Sequence, residues 1–196
     1  MQIGKIVKSN THVDYVCQVS NPGEFIDAPS SADYAFGTFA RIDLPQGNSG
    51  YIAGLIYSTI LMNPEFGNLG PRLSSFTDLE VFSPDYLREQ ATLVGVVAIG
   101  QVTAADGVHQ GVPLLAATVN ATVQTMSPIE VRAFHQATGG LSIAYAPLLL
   151  AQGDCLIPHL LLNVVNRLML LFPGHERQLA VLRSNLAWKT AVTPAG

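Results

Sequence analysis

The sequence predicts an α+β protein: a small N-terminal β-barrel over residues 1–126, followed by a C-terminal helical segment over residues 127–196. Three observations predict it. Apolar residues before residue 126 alternate or fill whole runs, Gly-rich turns separate those runs, and after residue 126 the apolar period becomes helical behind a complete helix-start signal.

In HVDYVCQV (12–19), Val13, Tyr15, Cys17 and Val19 alternate with His12, Asp14 and Gln18, the pattern of a half-buried strand. LAATVNATVQ (115–124) repeats it, with Leu115, Ala117, Val119, Ala121 and Val123 on one face. YIAGLIYSTIL (51–61) and TLVGVVAIGQV (92–102) differ, because both alternating sets are largely apolar. Each of these two runs is therefore expected to be covered on both faces. NPGE (21–24), PQGNSG (45–50), NPEFGNLGP (63–71) and AADGVHQG (104–111) supply turn chemistry. Short strands joined this way favour a small barrel or sandwich, and Gly54, Gly95 and Gly100 fit the tight bends of a barrel wall.

SPIE (127–130) begins the helical part: Ser127 as N-cap, Pro128 in the first turn and Glu130 closing a capping box predict a helix over 128–138, stopped by Gly139 and Gly140. A short apolar stretch, LSIAYAPLLLAQ, leads to Gly153 and Asp154, and Asp154 is placed to cap the next helix. A helical hairpin over about 155–189 follows, broken at Pro173 and Gly174. Its second arm carries Leu179, Leu182 and Leu186 on one stripe, with Arg177, Arg183 and Lys189 elsewhere.

Charged residues make up 12% of the chain, about half the usual share. So little charge implies that much of the outside is covered, by the chain's own helices or by another subunit. The net charge is −4 and the ten Lys and Arg form no run, which disfavours direct binding of nucleic acid. MQIGKIVKSN lacks the apolar core of a signal peptide. Cys17 and Cys155 lie far apart without a CxxC and are expected to be two small buried residues in a reducing cytoplasm.

LIPHLLLNVVNRLMLLFPG (156–174) is the most apolar segment. Leu156 to Phe172 spans about 25 Å as a helix, short of a bilayer core of roughly 30 Å. His159, Asn163, Asn166 and Arg167 gather on an arc of about 100°, and a mid-helix Arg with two Asn is costly in lipid. No transmembrane segment is expected. Peripheral membrane association stays open, although Arg167 is the one basic residue on that arc. A helix this apolar should be gripped from two sides: by the barrel or its partner helix on one, and on the other by a second subunit or by more of the chain's own core.

Candidate chemistry is sparse. His12, His109, His135, His159 and His175 are scattered without metal-site spacing, so no metal or cofactor is expected. His12 and Asp14 share a strand face, most simply as a solvated pair; GNSG (47–50) lacks the nucleophile-elbow pattern and suits a hairpin turn. Glu24, Asp27, Asp33 and Asp43 are close in sequence but separated by strands. His159 with Asn163 could line a pocket or cross an interface, although a satisfied, half-buried histidine is the commoner outcome.

IGKIVKSN, YAFGTFARI, YIAGLIYSTILMNPEF and ATLVGVVAIGQV follow one another in a strand order that resembles the HerA and ATP-synthase type barrel, the HAS barrel of HerA helicases and rotary ATPases. GVHQGVPLL resembles the exit from its last long strand, and SPIEVRAFHQATGGLSIAYA the helix and short strand that lead to the motor in HerA relatives. The likeness covers residues 1–146. It implies a crown that joins neighbouring subunits and docks a partner. No G-x-x-x-x-G-K-[ST] run follows, and 50 residues are too few for a RecA-type motor, so ATP hydrolysis does not carry over.

The expectation is thus a non-catalytic interaction and oligomerisation module that acts on a protein partner or on itself, as a homo-oligomer. Its interface is expected at Leu161, Val164, Leu168, Leu171 and Phe172, with His159, Asn163 and Arg167. The alternative is an accessory subunit that joins a separate ATPase or membrane complex in trans; a third reading is a cryptic enzyme with a pocket between barrel and helices.

Overall fold

The computed structural model describes residues 1–21, 28–45, 49–63, 90–137 and 139–192. Within them lie strands β1 (Gln2–Ser9), β2 (Asp14–Val19), β3 (Phe39–Asp43), β4 (Gly50–Met62), β5 (Ala91–Thr103), β6 (Gly107–Gln110) and β7 (Thr122–Thr125). The helices are α1 (Pro128–Gln136), α2 (Ala146–Ala151), α3 (Ile157–Leu171) and α4 (Glu176–Val192). Six strands close on themselves in the order β1–β2–β5–β4–β3–β7, every pair antiparallel, with β7 returning to β1. β6 pairs with Gly100–Thr103, beyond the stretch of β5 that β2 occupies. Closure removes the free edges that an open sheet would present.

The long strands β4 and β5 explain their own composition. Ile52 and Ile56 of β4, with Val94, Val96 and Ala98 of β5, point into the barrel, where they meet Ile3, Ile6, Cys17, Ala40, Ile42 and Val123. The alternate residues Ala53, Leu55, Val97 and Ile99 point outward into a second core built with the helices. Both faces are apolar because one lines the lumen and the other carries α1, α2 and α3. Beyond Tyr57 this double cover ends: Ile60, Leu61 and Met62 are exposed, contrary to the expectation for the whole of 51–61. Gly54 and Gly100 flank a register shift at which Ala53 faces Gly100 and Gly54 faces Ala98. A Cβ at Gly100 would lie 2.2 Å from His109 O, so the backbones approach there as only glycine allows.

β2 buries Tyr15, Cys17 and Val19, as its alternation predicts. The strand expected over 115–124 shrinks to β7. Gln101, 2% exposed, turns its Oε1 to the amides of Leu114 (2.8 Å) and Leu115 (3.2 Å), which takes both donors away from any strand pairing. Asn120 adopts φ 67°, and Leu115 and Val119 are exposed while Ala117 and Ala121 pack against the lumen core. Cys17 is buried in the lumen, which pushes its thiol up to about 12, whereas Cys155 is exposed, against the expectation that both are buried.

α1 starts as its sequence dictates: Ser127 Oγ accepts from the Glu130 amide and the Glu130 carboxylate accepts from the Ser127 amide. It ends at Gln136, two residues before the expected limit, with Gly139 at φ 83° beyond. LSIAYAPLLLAQ holds a helix, α2, that the sequence reading does not separate from the apolar stretch. Asp154 is not the N-cap expected of it: its Oδ1 accepts from the Leu156 amide at 2.8 Å in the turn before α3, and the helix begins at Ile157 behind Leu156, whose side chain makes no cap bond. Leu179 and Leu186 of α4 are buried in the outer core that α3 shares. Among the described residues no helix is long and apolar enough to cross a membrane.

Candidate functional site

Where the barrel meets the helices, an open cleft of about 220 Å³ is lined from three directions. The start of β3 gives Thr38 and Phe39; the end of β7 and the start of α1 give Thr125, Met126, Pro128 and Val131; the last turns of α3 give Arg167, Leu170 and Leu171. Arg167, Leu170 and Leu171 stand at i, i+3 and i+4, one face of a helix. Among the described residues, Arg167 is the one ionisable side chain in the lining.

Several contacts hold these walls in place. The Met126 amide donates to Phe39 O at 2.9 Å, joining β7 to β3 at the cleft floor. Arg41 bridges to Glu130 at 2.8 Å and lies 3.6 Å from Asp43, tying the first turn of α1 to the barrel wall. Burial raises the Glu130 carboxyl, but the Ser127 and Arg41 hydrogen bonds outweigh it and hold the group below its ordinary value. Asn163 Nδ2 donates to Phe36 O at 3.3 Å and packs over Gly37, whose φ of 80° and missing Cβ admit the amide.

Behind Val131 lies a fully buried histidine. His135 Nδ1 is 2.7 Å from Val131 O, a group that can only accept, so Nδ1 carries the proton and Nε2 accepts from the Tyr145 hydroxyl at 2.9 Å. Phe39, Phe134, Tyr145 and Phe172 present ring edges and faces to it. Burial holds the imidazole neutral, down to about 4, and pushes the Tyr145 hydroxyl up. With both ring nitrogens and the tyrosine hydroxyl engaged, this pair positions α1 against α2, and it touches the cleft walls through Val131 and Phe39.

The residues expected at an interface divide. Leu161, Val164, Leu168 and Phe172 are 0–3% exposed and lie in the outer core, where they hold α3 to the barrel. Leu171 and Arg167 line the cleft, Asn163 bonds the barrel and His159 is exposed. Helical periodicity marks a broad apolar face but not which part of it a barrel occupies. Thr38, Met126 and Leu170 escaped the sequence reading because they come from three separate segments. Leu170 is 84% exposed, and the signal for it was a leucine set within the arc of His159, Asn163, Asn166 and Arg167.

Of the other candidates, His12 Nε2 lies 2.8 Å from Pro113 O and Asp14 accepts from Tyr57 and Asn10, so the pair serves to fasten loops. Asp33 caps Ser30 and Asp43 lies beside Arg41, while Glu24, Asp27 and part of GNSG lie outside the described residues. No group of three His, Cys, Asp or Glu that could hold a metal occurs among the described residues.

A search of curated proteins finds no match to the chain. A family model spans nearly all of it, residues 1–195, and the chain belongs to that family, described as a domain of unknown function, DUF8166.

Proposed function

We propose that this protein is a non-catalytic interaction module, in which the barrel is the scaffold and the cleft between barrel and α3 belongs to a surface that self-associates and docks a protein partner. One observation carries the reading. Leu170 and Ile129 are 84% and 79% exposed beside a cleft walled by Phe39, Met126 and Leu171, while Leu161, Val164, Leu168 and Phe172 of the same helical segment are spent on the protein's own core. Exposed apolar side chains next to an apolar recess are the usual mark of a surface awaiting cover. On this reading the barrel is of the HerA and ATP-synthase type, working in the cytoplasm as a crown that joins subunits, and it needs no cofactor.

Light scattering at micromolar concentration tests it. The expected mass is a multiple of the 20.9 kDa chain, and Leu170→Asp combined with Ile129→Asp should lower it without changing the far-UV spectrum. A monomer in both cases, with no partner retained from the source cell, overturns the proposal. Recovery of a separate ATPase in fixed ratio moves it to an accessory subunit acting in trans.

A further inference from the structure

The cleft contains a charge that its walls do not answer. Arg167 is half-buried, and among the described residues its guanidinium makes one hydrogen bond, a long one of 3.4 Å to Thr38 Oγ1. The described ion pairs belong to Arg41, so no described carboxylate stands within ion-pairing distance of Arg167. Burial alone pulls its pKa below the ordinary arginine value, the sign of a cation losing water without gaining an anion. A guanidinium offers five donors in a planar fork suited to a carboxylate.

We propose that the cleft receives an acidic side chain of a partner protein, its carboxylate on Arg167 and a neighbouring apolar side chain between Phe39, Met126 and Leu171. The inference rests on the docking function proposed above and names the chemistry of the docked segment. Size favours a side chain over a free small molecule: about 220 Å³, open on one side, falls below the roughly 300–1,000 Å³ that encloses a drug-sized ligand. Charge favours a carboxylate over a phosphate. Phosphate sites gather several cations or backbone amides, and among the described residues this lining supplies one cation and two threonine hydroxyls.

An NMR titration of the full chain with a capped pentapeptide, one glutamate flanked by leucines, tests this. The expected result is millimolar binding that moves the amides of Thr38, Thr125 and Leu170, weakened about fivefold or more when glutamine replaces the glutamate or in Arg167→Met, which keeps the apolar stem. Arg167→Lys, which keeps the charge and loses the fork, should fall between; it also serves if Arg167→Met does not fold. Equal binding of the glutamate and glutamine peptides overturns the carboxylate site while leaving the docking surface in place. Decanoate binding more tightly than the peptide overturns the protein partner in favour of a small amphiphile. Peptide shifts absent from the cleft overturn the inference; if the chain is also monomeric by light scattering, the docking function fails with it.

Discussion

The barrel lumen and the layer between barrel and helices each hold a buried apolar core, but the two are specified differently. Lumen residues such as Ile3, Ile42, Ile52, Ile56 and Val96 are aliphatic and come from strands whose alternation alone decides which side faces in. The fully buried tyrosine of this cluster, Tyr15, sends its hydroxyl to His12 O at 2.7 Å and receives the Ala117 amide at 3.2 Å, at the lumen's edge. The outer layer instead packs aromatic rings around His135 and is fastened by directed bonds. Gln110 alone donates to Phe134 O and Ser142 O, both at 3.0 Å, and accepts from the Ala144 amide at 2.7 Å. Strand register builds the inner core; individual polar side chains set the helices on the outer one.

The largest expected effects come from emptying either core. Ile56→Ala in the lumen and Leu161→Ala outside, each at full burial, should cost about 2–5 kcal/mol in urea unfolding. Hydrogen exchange separates them. Leu161→Ala should speed exchange in α3 and α4 more than in β4 and β5, whereas Ile56→Ala should speed it throughout the barrel. Uniform acceleration in both would mean that the two layers open as one unit and that the contrast drawn here has no energetic counterpart.

His135 gives the next effect and a pH signature. Its folded-state pKa is held down near 4 against 6.5 for the free group, so between these values the unfolded chain binds a proton that the folded chain refuses. Stability is therefore fully present above pH 6.5 and declines as the pH falls toward 4, by roughly 3 kcal/mol over the window. His135→Phe removes this slope. It also leaves the buried Tyr145 hydroxyl without its acceptor, a loss of about 1–3 kcal/mol at pH 7.5. Urea midpoints at several pH values check both; a slope that survives in the variant would place the titration elsewhere.

This division also accounts for what could be read from the sequence. The closed barrel, the double cover over β4 and β5 and the cap of α1 were legible because period-two alternation, continuous apolar runs and SPIE are local signals. The long-range polar clasps were not. Nothing near Gln101 or Gln110 in sequence shows that each will bond backbone more than ten residues away, so the strand at 115–124 was overextended and α2 was missed. The cleft was half legible. Periodicity sets Arg167 at the edge of the polar arc and Leu171 beside it on the apolar face, but Thr38, Phe39 and Met126 reach them only through closure of the barrel.

Ser127→Ala is the mildest test of the contrast, because it touches a local signal rather than a long-range clasp. It removes the hydroxyl that accepts from the Glu130 amide at 3.3 Å, but the Ser127 amide still donates to the Glu130 carboxylate at 2.7 Å, and Arg41 still holds that carboxylate at 2.8 Å. Half of the capping box and its ion pair persist, so the cost should stay near 1 kcal/mol, below that of His135→Phe in the same urea titration. The reverse order would mean that α1 is set on the barrel mainly from its first turn, at Pro128 beside the cleft, and that the buried histidine merely follows.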